Sequence, residues 1–127
     1  MKAKGNIEQA LDHCKSLFVI SPRWLVLSTM IGEYLGHVIL PEENIEIERI
    51  TALSAGASGH YERHAMEYRL GEARCGLIVA ETGCVVYAFV GEERVLSLMF
   101  KDTTLTALTS ILSDMPGVIE YLVQFET

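Results

Sequence analysis

Ala73-Arg74-Cys75-Gly76-Leu77-Ile78-Val79-Ala80, then Glu81-Thr82-Gly83, then Cys84-Val85-Val86-Tyr87-Ala88-Phe89-Val90, is the stretch that decides how this chain folds. Two apolar, β-branched and aromatic runs flank a short turn that contains glycine, which is the pattern of a hairpin. Gly91-Glu92-Glu93 leads into a third run, Arg94 to Phe100. Three runs joined by short turns predict an antiparallel meander. A two-residue turn at Thr82-Gly83 would set Cys84 opposite Glu81 and leave Cys75 six residues away. At the strand rise that is roughly 20 Å, too far for a disulfide.

Downstream, Asp102 or Thr103 is placed to cap a helix through Leu105, Leu108, Ile111 and Leu112. Pro116-Gly117 interrupts it. Val118 to Phe125 then either resumes as helix or adds a short strand, and helix is favoured because proline is tolerated in a first turn.

Upstream, Ile45 to Leu70 reads as one long helix that starts after the acidic Pro41-Glu42-Glu43-Asn44 and stops at Gly71. Ile50, Leu53, Ala57, Tyr61, His64 and Tyr68 recur at helical spacing and predict its buried stripe. Ala52, Ala55, Gly56 and Gly59 form a second face of very small residues. Each interior glycine costs about 1 kcal/mol of helix propensity, so either another backbone approaches closely here or the helix kinks. Before it, Trp24 to Leu27 and Glu33 to Leu40 read as a hairpin around a loop containing Gly32. A first helix, capped by Asn6, presents Ile7, Ala10, Leu11, Cys14, Leu17 and Phe18 on one face and ends before Pro22.

The order is α-β-β-α-β-β-β-α. It predicts an α+β sandwich, a five-stranded antiparallel sheet with helices on both faces, over a single domain of residues 1–127. Half of the residues are hydrophobic and 21% are charged, a globular composition. Ten basic against 17 acidic residues leave a formal charge of -7, which disfavours nucleic acid as a partner. Cys14, Cys75 and Cys84 form no CxxC, and no apolar stretch reaches the ~18 residues of a membrane span. The expectation is a cytoplasmic protein with no direct membrane insertion.

The strand–loop–Gly–strand unit (Trp24 to Ile39), the Ala/Gly/Ser-rich helix (Ile45 to Leu70), and the Gly71-Glu72-Ala73-Arg74 lead into the meander together resemble the Roadblock/dynein light-chain domain. The resemblance spans nearly the whole chain and is carried by apolar and small-residue patterns rather than by a catalytic signature. It implies side-by-side dimers in which third strands pair and second helices pack across the dyad. The implied interface is Ala52, Ala55, Gly56 and Gly59 on the helix with Arg74, Gly76, Ile78 and Ala80 on the strand. It also implies a scaffold or regulator of a small Ras-like GTPase, working as a homodimer or with a related chain. The Pro116-Gly117 break departs from the simplest members.

Catalytic and ligand signatures are weak. His60 and His64 stand at i and i+4, a metal-ligand spacing, and Glu67 follows one turn on. Glu62 points about 200° around the helix from His60, so it cannot serve as the base of a metalloprotease motif. A pair of histidines among surface charges is more often solvated or part of an interface. Cys14 reads as core filler, His37 as a lone sheet residue, and no nucleophile elbow, P-loop or dinucleotide fingerprint is present. Arg63, Arg69, Arg74 and Arg94 qualify as arginine fingers by residue type only, on no evident long loop. No cofactor is expected. Glu62, Glu67 and Glu72 are the candidate acidic steering surface for a GTPase, or simply a solvated helix face. The competing reading is a PAS- or profilin-like small-molecule sensor, which shares the architecture.

Overall fold

A computed structural model describes residues 6–125. The elements run α1 (Asn6–Ser16), β1 (Trp24–Thr29), β2 (Tyr34–Ile39), α2 (Ile47–Glu67), β3 (Cys75–Ala80), β4 (Gly83–Val90), β5 (Arg94–Phe100) and α3 (Leu105–Val123). The strands form one antiparallel sheet in the order β2-β1-β5-β4-β3. This is the predicted α+β order.

Alternation along the strands creates two faces. Leu25, Leu27, Val86, Ala88, Leu96, Leu98 and Phe100 point to one, where α1 and α3 bury Leu11, Cys14, Ile111, Met115, Val118 and Leu122 against them. The edge of the Phe18 ring meets Phe100 with centroids 5.3 Å apart. α1 packs on β2 through Gly36, where an added Cβ would stand 2.5 Å from Ile7 Cγ2 and 3.2 Å from Leu11 Cδ1. Gly36→Ala is therefore expected to pry the helix from the strand at a cost of about 1–3 kcal/mol, measurable by urea unfolding.

The opposite face carries α2, and the predicted buried stripe is corrected there. Thr51, Ser54 and Ser58 face the sheet, while Leu53, His64 and Tyr68 are exposed. The hydroxyls tolerate burial because each bonds a helix carbonyl: Thr51 to Glu48, Ser54 to Ile50, Ser58 to Ser54. Ser54 also meets Ser97 of β5 through their hydroxyls.

Several boundaries shift for local reasons. α1 ends at Ser16, before Pro22 as expected, and leaves Leu17 and Phe18 of the predicted stripe beyond the helix. Glu42 and Glu43 do not open α2. Glu43 takes Arg23 through both Nε and Nη2, at 2.9 and 2.7 Å, and Glu42 adds a contact at 3.3 Å. α2 stops at a left-handed Arg69 (φ 57) rather than at Gly71, with Leu70 N–H donating to Ala65 O at 2.9 Å. The β3–β4 turn is Glu81-Thr82, pairing Ala80 with Gly83 and Val79 with Cys84. Cys75 consequently lies opposite Ala88, about 13 Å along the strand from Cys84. The expected break at Pro116-Gly117 is also corrected, because α3 continues through it. Pro116 lies on the exposed side, and the second half of α3 is held by buried Val118 and Leu122. Arg94 tethers its end, donating to Phe125 O at 2.8 Å and Leu122 O at 3.0 Å.

Candidate interaction surface

The surface begins at the edge of the sheet. β3 is the last strand in the order, so one side of its backbone pairs with β4 and the other has no strand beside it among the described residues. Its side chains are apolar yet accessible: Ile78 is 50% and Val79 48% exposed. Such an edge invites pairing with another chain.

α2 defines what lies above that edge. Ser54 meets Ser97 on β5, whereas the Tyr61 ring covers Gly76 on β3, occupying the place a Cβ there would take. Seven residues of helix rise about 10 Å, and the β5-to-β3 separation is two strand spacings, also about 10 Å. α2 therefore runs across the strands and reaches the edge at Tyr61. Residues 62–67 continue about 9 Å farther with no strand of this sheet beneath them. The overhang and its end expose Met66 (74%), Tyr68 (68%) and Leu70 (75%).

The small-residue face of α2 is on the surface. Ala52, Gly56 and Gly59 are exposed, and a Cβ added at Gly56 or Gly59 would meet nothing within 4 Å. Ala55 is half-buried, its Cβ close to Gly32 in the β1–β2 turn. The helix is continuous through both glycines, so it is not broken there. At 100° per residue, Leu53, Ala57, His60 and His64 form the flank opposite Ala55. Leu53 is 58% exposed there, although its helical spacing predicts a core position. Arg74, just before β3, and Ile78 and Ala80 on it are exposed, whereas Gly76 is buried beneath Tyr61.

The acidic candidates do not gather into one patch. Glu62 shares a notch of about 600 Å³ with Arg63, Arg69 and Met66, between the end of α2 and Gly71-Ala73. Glu67 lines a smaller groove with Arg63, His64 and Tyr68, and Glu72 is exposed on the connection to β3. The overhang thus presents both signs of charge. The His60 and His64 rings meet tilted at 57° with centroids 4.4 Å apart, and no group of three metal-ligating side chains occurs among the described residues. Cys14 and Cys84 are buried and Cys75 is exposed, and burial raises the pKa of each thiol. Arg94 is committed to the end of α3, which leaves Arg63, Arg69 and Arg74 exposed. Among the described residues, no helix is long and apolar enough to cross a membrane.

No protein-family model matches the chain, and no curated protein matches it in sequence. Solved structures do match in shape. Myxococcus xanthus MglB superposes with a TM-score of 0.80 at 15% identity, covering 98% of this chain and 90% of that one. A structure described as MglB with tetrameric arrangement gives 0.73 at 13% identity, covering 96% and 92%. A Roadblock/LC7 domain from Streptomyces avermitilis gives 0.70 at 11% identity, covering 89% and 91%. The chain thus shares the fold of these structures, that of the Roadblock/LC7 domain.

Proposed function

We propose that residues 1–127 form one Roadblock-like unit that pairs with a second copy, or a related chain, and regulates a small Ras-like GTPase in the cytoplasm without catalysing a reaction itself. The observation that carries this reading is the open β3 edge beneath the overhang of α2. If β3 pairs antiparallel with its mate, the partner's sheet continues where this sheet stops, directly under residues 62–67. Two-fold symmetry repeats the arrangement, each α2 covering the other's edge. Exposed Ile78, Met66 and Tyr68 then become buried. Ala52, Ala55, Gly56 and Gly59 are the proposed crossing point of the two helices, with Arg74, Gly76, Ile78 and Ala80 on the paired strands. The tetrameric arrangement named for one structural neighbour supports self-association as a habit of this fold.

The GTPase partner follows from the Roadblock-like fold together with surfaces that offer contacts rather than a reactive centre. Glu62, Glu67 and Glu72 are its proposed contacts, and their exposure makes any steering sensitive to salt. A regulator must distinguish nucleotide states, since equal affinity for both shifts nothing. Calorimetry against Ras-like GTPases loaded with GDP or a non-hydrolysable GTP analogue tests this. Affinities differing by about tenfold or more, or 1.4 kcal/mol, are expected. Equal affinities would remove the regulatory role and leave a scaffold.

A further inference from the structure

The backbone of β3 restricts how its open edge can pair. Phe89 N–H donates to Arg74 O at 2.9 Å, continuing the register that sets Cys75 opposite Ala88. Hydrogen-bonded pairs alternate along an antiparallel ladder, so Arg74, Gly76, Ile78 and Ala80 turn their backbone groups toward β4. Cys75, Leu77 and Val79 turn theirs toward the open edge.

The side chains add a second constraint. Gly76, Ile78 and Ala80 lie on the α2 face, where Tyr61 covers Gly76. Cys75, Leu77 and Val79 lie on the α3 face, opposite Ala88, Val86 and Cys84. Residues opposite one another in an antiparallel pair share a face. A two-fold axis between two copies of β3 therefore matches odd residue numbers with odd and even with even. End-to-end alignment, with Cys75 against the partner's Ala80, is excluded. Centred on Leu77, the pairing sets Leu77 against its own copy and Cys75 against the partner's Val79. Every outward N–H and C=O of these three residues then finds a mate. A shift of two residues loses bonds, because Cys75 meets the partner's Glu81 in the turn, or Val79 the partner's Ala73 before the strand.

We propose that, on the β3 pairing put forward above, the partner is a second copy of this chain, held in the register centred on Leu77. The partner's Ile78 then stands opposite Gly76 in a close, non-hydrogen-bonded pair, with Cα atoms about 4.5 Å apart. Gly76 brings no side chain of its own, so the partner's Ile78 packs beside the Tyr61 ring that covers it. Two-fold symmetry returns the contact, with Ile78 against the partner's Gly76. Small meets large on both sides of the axis, which makes this strand complementary to itself.

Cysteine cross-linking of the purified chain reads the register. Opposed residues of a hydrogen-bonded pair lie about 5.5 Å apart at Cα, within disulfide reach, whereas diagonal ones lie about 7–8 Å apart, beyond it. Cys14 and Cys84 are buried, which leaves Cys75 as the accessible native thiol. In a Cys75→Ser background, Leu77→Cys is expected to form a disulfide-linked dimer at least about tenfold faster than Ile78→Cys. Val79→Cys with Cys75 retained should also link, and adding Cys75→Ser should abolish that link. Val79 is already 48% exposed, so this pair stays readable if Leu77→Cys loosens the fold. Faster linking by Ile78→Cys, or by Val79→Cys without Cys75, would overturn the register. A dimer in light scattering that links at none of these positions would also overturn it and place the interface away from β3. A monomer would overturn the choice of partner together with the self-association beneath it.

Discussion

Ile78→Lys is expected to reduce the particle in light scattering at low micromolar concentration from twice the 14.1 kDa chain mass to once. Ile78 sits mid-strand on the open edge, opposite Val85, and is 50% exposed in the single chain. A lysine there remains solvated in the monomer, so the fold should melt as before. In the paired sheet, two-fold symmetry brings a second lysine close, and both lose water as α2 closes over them. Like charges across an edge destabilise pairing, and natural edges use lysine to that end. Because the cost is incurred once per protomer, at least about a hundredfold loss in dimer affinity, or 2.7 kcal/mol, is expected. A dimer that survives the substitution would place the interface elsewhere.

Gly56→Leu separates the helix contact from the strand contact. A Cβ at Gly56 meets nothing within 4 Å in the single chain, so the leucine fits and adds about 0.8 kcal/mol of helix propensity. If Gly56 lies at the helix crossing, the same leucine forces two backbones apart and association falls. A raised melting point with unchanged association would instead move the crossing to the Leu53, His60 and His64 flank.

The hairpins and the meander were legible because their apolar runs and turn residues are local signals. α2 was legible in extent but not in orientation. Of its predicted stripe, Leu53, His64 and Tyr68 are exposed and Ile50, Ala57 and Tyr61 half-buried, whereas Thr51, Ser54 and Ser58 lie buried against the sheet. Side-chain bonds to preceding carbonyls make those hydroxyls cheap to bury, and no hydrophobicity pattern reports that. The continuity of α3 was hidden for a different reason. Local propensity breaks a helix at Pro116-Gly117, and the buried Val118 and Leu122 with the Arg94 tether are tertiary contacts that override it. The candidate interface divides in the same way. The strand residues were implied by the resemblance to the Roadblock domain, whereas the overhang that exposes Met66 and Tyr68 arises from the angle between α2 and the strands.

Between pH 9 and pH 12 the chain is expected to lose stability more steeply than its Cys14→Ala variant. Cys14 is fully buried in the α1 core face, and burial pushes its thiol from the usual 9.0 to about 12. Below pH 9 the thiol is neutral whether the chain is folded or not, so the stabilising difference is fully present. Above pH 9 the unfolded chain gives up the proton and the folded chain retains it, so the unfolded state binds fewer protons and stability falls as pH rises. Three pH units at 1.36 kcal/mol each set an upper value of about 4 kcal/mol for the extra loss. Every other ionisable group is common to both proteins and cancels in the comparison. Cys14→Ala sacrifices some packing at every pH, so the diagnostic quantity is the slope of unfolding free energy against pH, not its level. Parallel slopes from pH 9 to 12 would mean that the Cys14 thiolate reaches water without unfolding, and that α1 opens from the sheet in the native state.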